Sequence, residues 1–95
     1  MTLDEFRNTR PDDLDGPLLS MWWDAHGNWE EAHQIAQDIE TPEGAWVHAY
    51  LHRKEGNQTN AAYWYRRAGR PICNGDLNAE WEQIARELIA RRERS

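Results

Sequence analysis

A single cysteine, Cys73, leaves this chain unable to form an internal disulfide. Its stability must therefore come from packing, and the usage suits a reducing compartment. Long apolar runs are missing too. Nothing in the sequence approaches the roughly 20 consecutive apolar residues of a bilayer-spanning helix. The N-terminal stretch MTLDEFRNTR lacks the apolar segment of a secretory signal. These absences predict a cytoplasmic chain with no membrane partner. There is no Gly-rich phosphate loop, and no motif implies a cofactor. Positive charge is scarce as well: the net charge is −6 and the pI about 5.1, far from the basic footprint of a nucleic-acid binder. Arg66, Arg67 and Arg70 beside Tyr63, Trp64 and Tyr65 are the one stretch with the right mixture, and those aromatics have another use, given below. Nucleophilic catalysis has little to build on. Cys73 has no activating His placed by sequence, and the neighbours Glu30 and Glu31 point apart on any regular element. A non-catalytic protein is expected.

What the chain does hold is aromatic bulk and helix punctuation. Six Trp, three Tyr and one Phe in 95 residues supply side chains that each bury about 150–250 Å², enough for one core and one domain, 1–95. No segment alternates as a strand would, so the fold is expected to be all-α. Thr2 and Glu5 have capping-box spacing, predicting a short helix over 3–8 within an N-terminal arm, 1–15. Pro17 suits a first helical turn and Gly27 a helix end. Asn28 restarts a helix with the stripe Trp29, Ala32, Ile35, Ala36 and Ile39. Thr41 and Pro42 open the next helix and Gly56 stops it. Asn57 or Thr59 caps a fourth, which ends by Gly69 and Pro71. Asp76 caps the last, where Leu77, Trp81, Ile84, Leu88 and Ile89 form one apolar face. Charge divides along the chain. Residues 1–43 carry eleven acids against two Arg, 2 − 11 = −9, and residues 44–95 carry nine Lys and Arg against six acids, 9 − 6 = +3. Either the halves attract each other, or the basic half serves a second copy or an acidic ligand.

The chain also repeats itself. A shift of 29 residues pairs Gly27 with Gly56, Asn28 with Asn57, Ala32 with Ala61 and Pro42 with Pro71, and small residues meet at Ser20 and Ala49. The coincidences fall at turns, caps and crossing points, where geometry is most demanding. In spacing, Leu19, Ser20, Trp23, Gly27, Trp29, Ala32 and Ala36 resemble a tetratricopeptide repeat, as do Ala45, Ala49, Gly56, Ala61, Tyr65 and Ala68. The run Ala61-x-x-Trp64-Tyr65-x-x-Ala68 resembles a Sel1-type repeat. The resemblance covers about residues 16–71, with a period shorter than the family's roughly 34. It implies two antiparallel helical hairpins, 16–42 and 43–71, followed by a capping helix over 76–93. Two architectures meet that description, a right-handed αα-superhelix and a compact five-helix bundle.

The resemblance further implies a protein- or peptide-binding groove along the first helix of each hairpin. By position it would be lined by Leu14, Met21, Asp24 and Ala25, and by Trp46, Tyr50, Arg53 and Lys54. The last four also share one face on helical spacing. An aromatic floor beside two cations suits a partner with an apolar anchor and an acidic or C-terminal carboxylate group, or a second copy of the chain in a homodimer. The contrary reading packs Trp46 and Tyr50 against the capping helix. A different class of function, a metal-binding or catalytic pocket, rests on His48 and His52, which stand i, i+4 and can ligate one metal ion, with His26, His33 and Glu30 to complete the set. The Glu of H-E-x-x-H is missing from His48-Ala49-Tyr50-Leu51-His52, so no metalloprotease is implied. Against the metal stands interior packing of the same imidazoles.

Overall fold

Each helix starts where the sequence offers a side-chain acceptor or a proline for a first turn whose N–H groups have no partner. The computed structural model describes residues 1–94. Helix α1 (Leu3–Asn8) carries the expected capping box, Thr2 and Glu5 each bonding the other's backbone N–H. A 3₁₀ turn (Pro11–Asp13) follows within the connector, then α2 (Gly16–Ala25) with Pro17 in its first turn. The side chain of Asn28 accepts from the Glu31 N–H to begin α3 (Trp29–Gln37), and Thr41 accepts from Gly44 to begin α4 (Pro42–Glu55). Asn57 caps α5 (Gln58–Ala68) through the Asn60 N–H. Asp76 caps α6 (Leu77–Arg94) through the Ala79 N–H. The described residues form no strand, and the fold is all-α.

Two turns 29 residues apart share their backbone geometry. Gly27 and Gly56 both adopt left-handed dihedrals, φ 83° and 93°, which an L side chain rarely tolerates. The Asn28 N–H returns to the Trp23 carbonyl and the Asn57 N–H to the His52 carbonyl, each at 2.9 Å. Ala32 and Ala61 donate to those same asparagines one turn on. The two hairpins, α2 with α3 and α4 with α5, therefore share a turn. At the crossing of the first, the Ser20 hydroxyl donates to the Ala32 carbonyl at 2.7 Å in a buried setting.

Helix α4 is the axis of the molecule. Every residue from Gly44 to His52 is buried, because α4 touches α2, α3, α5 and α6. A helix covered on all sides has no solvent face for a groove. Helix α6 lies across α2 and α4, and α1 closes on α2 and α6. The result is a closed bundle of 33 × 27 × 25 Å, the second of the two expected architectures, and not an open superhelix. Phe6, Met21, Val47, Leu51, Tyr65 and Ile84 are its most deeply buried large side chains. The Phe6 and Trp81 rings stack at 5.9 Å, and the Trp81 indole N–H donates to the Met21 carbonyl at 3.3 Å. The acidic first half and basic second half are bridged by Lys54–Asp24 at 2.9 Å and Arg91–Glu43 at 2.5 Å. The charge asymmetry is thus used, at least in part, within one chain.

The α3–α4 connection depends on a close approach at Gly44. A β-carbon there would lie 2.6 Å from the Ile39 carbonyl oxygen and 2.5 Å from its side chain. Gly44→Ala is therefore expected to lower stability by about 1–3 kcal/mol through overpacking, although alanine is the better helix former. Urea denaturation checks this. A lower midpoint at unchanged slope is expected, and a higher one would mean that Ile39 moves aside without cost.

Candidate metal centre

Three imidazoles meet where α3 faces α4. Asn28 fixes the start of α3, which sets Trp29 in its first turn and His33 one turn later on the same side. The Trp29 indole N–H donates to the Leu51 carbonyl at 2.9 Å, tying the start of α3 to α4. His48 and His52 stand one turn apart on α4, and their rings stack at 4.7 Å. The His33 ring meets that of His48 at 4.7 Å and that of His52 at 5.1 Å, both edge-on. One ligand nitrogen from each of the three lies within 4.8 Å of the others. His48 and His52 are buried and His33 is half-buried.

Aromatic walls enclose the cluster. Trp29 stacks on His33 at 4.9 Å with the planes only 7° apart, and Trp64 of α5 stacks on His48 at 4.1 Å. The Nδ1 of His52 lies 2.6 Å from a Glu55 carboxylate oxygen. That bond places a proton on Nδ1 and leaves Nε2 as a lone pair, the carboxylate–histidine arrangement that commonly orients a metal ligand. His48 Nε2 and His33 Nε2 are 3.0 Å apart and share one proton. His48 Nδ1 is buried without a hydrogen-bond partner. A stranded N–H is the rarer and costlier orphan, so the hydrogen-bond pattern assigns the shared proton to His48 Nε2 and the acceptor role to His33.

The charged forms of His48 and His33 are disfavoured. Burial, then the neighbouring His52 and His33, pushes His48 from its usual value near 6.5 down to about 4. Burial and His52 lower His33 as well, opposed by Glu55. At neutral pH His48 is therefore an uncharged base. Stability follows. Below the unfolded value near 6.5 the unfolded chain takes up a proton that the folded chain refuses until about pH 4. Folding free energy should thus weaken as pH falls through that window, by on the order of 2–3 kcal/mol for His48. Urea titrations of the full chain across the window check this, and equal midpoints at both ends would contradict it.

The other sequence-selected residues are placed differently. Met21, Asp24, Trp46 and Tyr50 are all buried, at most 4% exposed, which corrects their assignment to a partner-binding groove. Leu14 is buried too. The cause is α6 and the end of α5, which cover the face that periodicity left open. The Arg70 guanidinium lies 3.8 Å over the Trp46 ring and pairs with Glu87 of α6. Arg53 and Lys54 point at internal acids: Arg53 meets the buried Glu80 at 2.7 Å and also bonds the Gly75 carbonyl. Lys54 reaches Asp24, which also accepts from the Tyr50 hydroxyl at 3.2 Å. Burial and the Asp24 charge push the Tyr50 phenol well above its ordinary range, so it stays a donor.

Of the residues grouped with His48 and His52, the structure brings in His33 and leaves out His26 and Glu30. His26 is exposed, and its ring stacks on Trp22 at 3.8 Å. Glu55 and the two indoles were missed by sequence reasoning. Their signals were local, His52 to Glu55 at i, i+3 and Trp29 to His33 at i, i+4, while the part of Trp64 needed the tertiary fold. Comparison of the chain with protein-family models, with curated proteins and with solved structures found no match.

Proposed function

We propose that this chain is a small helical protein that binds a divalent transition-metal ion through His33, His48 and His52. The carrying observation is the convergence of three imidazole nitrogens within 4.8 Å from two adjacent helices. Nitrogens bound at about 2.0–2.1 Å to a tetrahedral ion stand roughly 3.3–3.4 Å apart. The His33–His48 separation of 3.0 Å would open slightly about the ion, and the wider separations, which reach up to 4.8 Å, would close by as much as about 1.4 Å through imidazole rotation. An all-imidazole set favours zinc, copper, nickel or cobalt over calcium and magnesium, which take oxygen ligands. The lowered basicity of His48 means that no proton need be expelled from an imidazolium at neutral pH. Ligation through Nε2 does shift the His48 proton to Nδ1, which lacks a partner. The affinity should accordingly fall below that of a site with a complete outer shell, by about 10–100-fold.

The test is a calorimetric zinc titration of the full chain with a thermal melt of the loaded protein. One ion per chain is expected, together with stabilisation of about 2.7 kcal/mol at a free metal concentration 100 times Kd. No heat and an unchanged melt would end the proposal. The other proposal, a non-catalytic protein- or peptide-binding module, is supported by the tetratricopeptide- and Sel1-like spacing and the paired turns, while Met21, Asp24, Trp46 and Tyr50 of its groove are interior.

A further inference from the structure

The three histidines leave a tetrahedral ion one ligand short, and their surroundings say from which side the fourth can come. Among the described residues no other His, Cys, Asp or Glu joins the group. Trp29 lies flat against His33 and Trp64 against His48. Glu55 is engaged at the outer nitrogen of His52. Only His33 among the three is more than marginally exposed, so the approach from solvent passes its edge. Charge then selects the ligand. Three neutral imidazoles contribute nothing to offset a doubly charged ion, and Glu55 supplies one negative charge. A partly buried site with net positive charge is stabilised by a further anion.

Resting on the metal-binding reading, we propose that the ion held by His33, His48 and His52 keeps an open fourth position on the His33 side and takes a small monodentate anion there in exchange for water. Two rigid helices supply three ligands and no fourth, as in metal sites that retain an exchangeable position and unlike closed four-ligand structural sites. The indole walls restrict the entrant to something little larger than water. They also lower the local dielectric, which strengthens attraction to the ion.

The experiment loads the full chain with cobalt(II), confirms one ion per chain by calorimetry, and titrates with sodium azide while following the visible bands of the bound ion. A saturable change in those bands at one azide per cobalt is expected. Cobalt that binds with bands indifferent to azide would overturn the open position and leave the metal reading standing. Cobalt that does not bind would overturn both. Glu55→Gln supplies a second readout: it retains an acceptor for His52 Nδ1 and removes the charge, so azide should bind roughly three- to tenfold tighter. Unchanged or weaker azide binding in that variant would contradict the electrostatic account.

Discussion

Arg53→Met should destabilise the protein by about 3–5 kcal/mol, a large share of the 5–15 kcal/mol that holds a domain of this size together. Glu80 projects from α6 into the core at 3% exposure. Its carboxylate is held by the Arg53 guanidinium at 2.7 Å and by the Tyr65 hydroxyl. Removing the cation strands a buried charge, and the penalty is the desolvation of Glu80 more than the lost attraction. The double replacement Arg53→Met with Glu80→Met removes both charges from the same site. It should recover most of the loss, since well-packed apolar residues often match or exceed a buried pair. Chemical denaturation of the three variants decides the matter. A single variant no less stable than wild type, or a double variant worse than the single, would contradict this account of the interior.

The same residue shows where the sequence stops being informative. Arg53 was legible as a cation beside Trp46, Tyr50 and Lys54 on one helical face, and the grouping is real. Its direction was not legible. Periodicity assigns faces to a helix on the assumption that one of them meets water, and α4 has none between Gly44 and His52. The caps, by contrast, were readable because each is a local bargain between a side chain and its own first turn. Thr2, Asn28, Thr41 and Asp76 act as their spacing implied, and of the two candidates at the fourth helix it is Asn57 that caps, with Thr59 inside α5. The paired glycine turns were readable for the same reason. The histidine site lies between these cases. His48 and His52 at i, i+4 are local and visible, and His33 was one of several candidates from the first hairpin. Choosing His33 over His26 requires knowing that α3, and not the end of α2, faces that side of α4, which is a tertiary fact.

Replacing His48 by leucine should separate stability from function in opposite directions. The imidazole is buried, keeps an unpartnered Nδ1 and resists protonation. A leucine of similar volume removes the orphan and keeps an apolar surface for the Trp64 ring. His33 loses its bond to His48 Nε2, but its half-exposed ring can turn to water. The apo variant is therefore expected to be about 1 kcal/mol more stable than wild type at neutral pH. It should also lose the His48 share of the weakening between pH 6.5 and about 4. Metal affinity should move the other way. With one of three ligands gone, zinc binding is expected to drop by at least about 100-fold, well beyond the loss from an outer-shell partner. Calorimetry and urea denaturation on the same preparation read both quantities. A residue kept only for packing would yield a variant whose zinc response matches wild type. A residue kept for a ligand yields a sturdier protein that no longer responds to the ion.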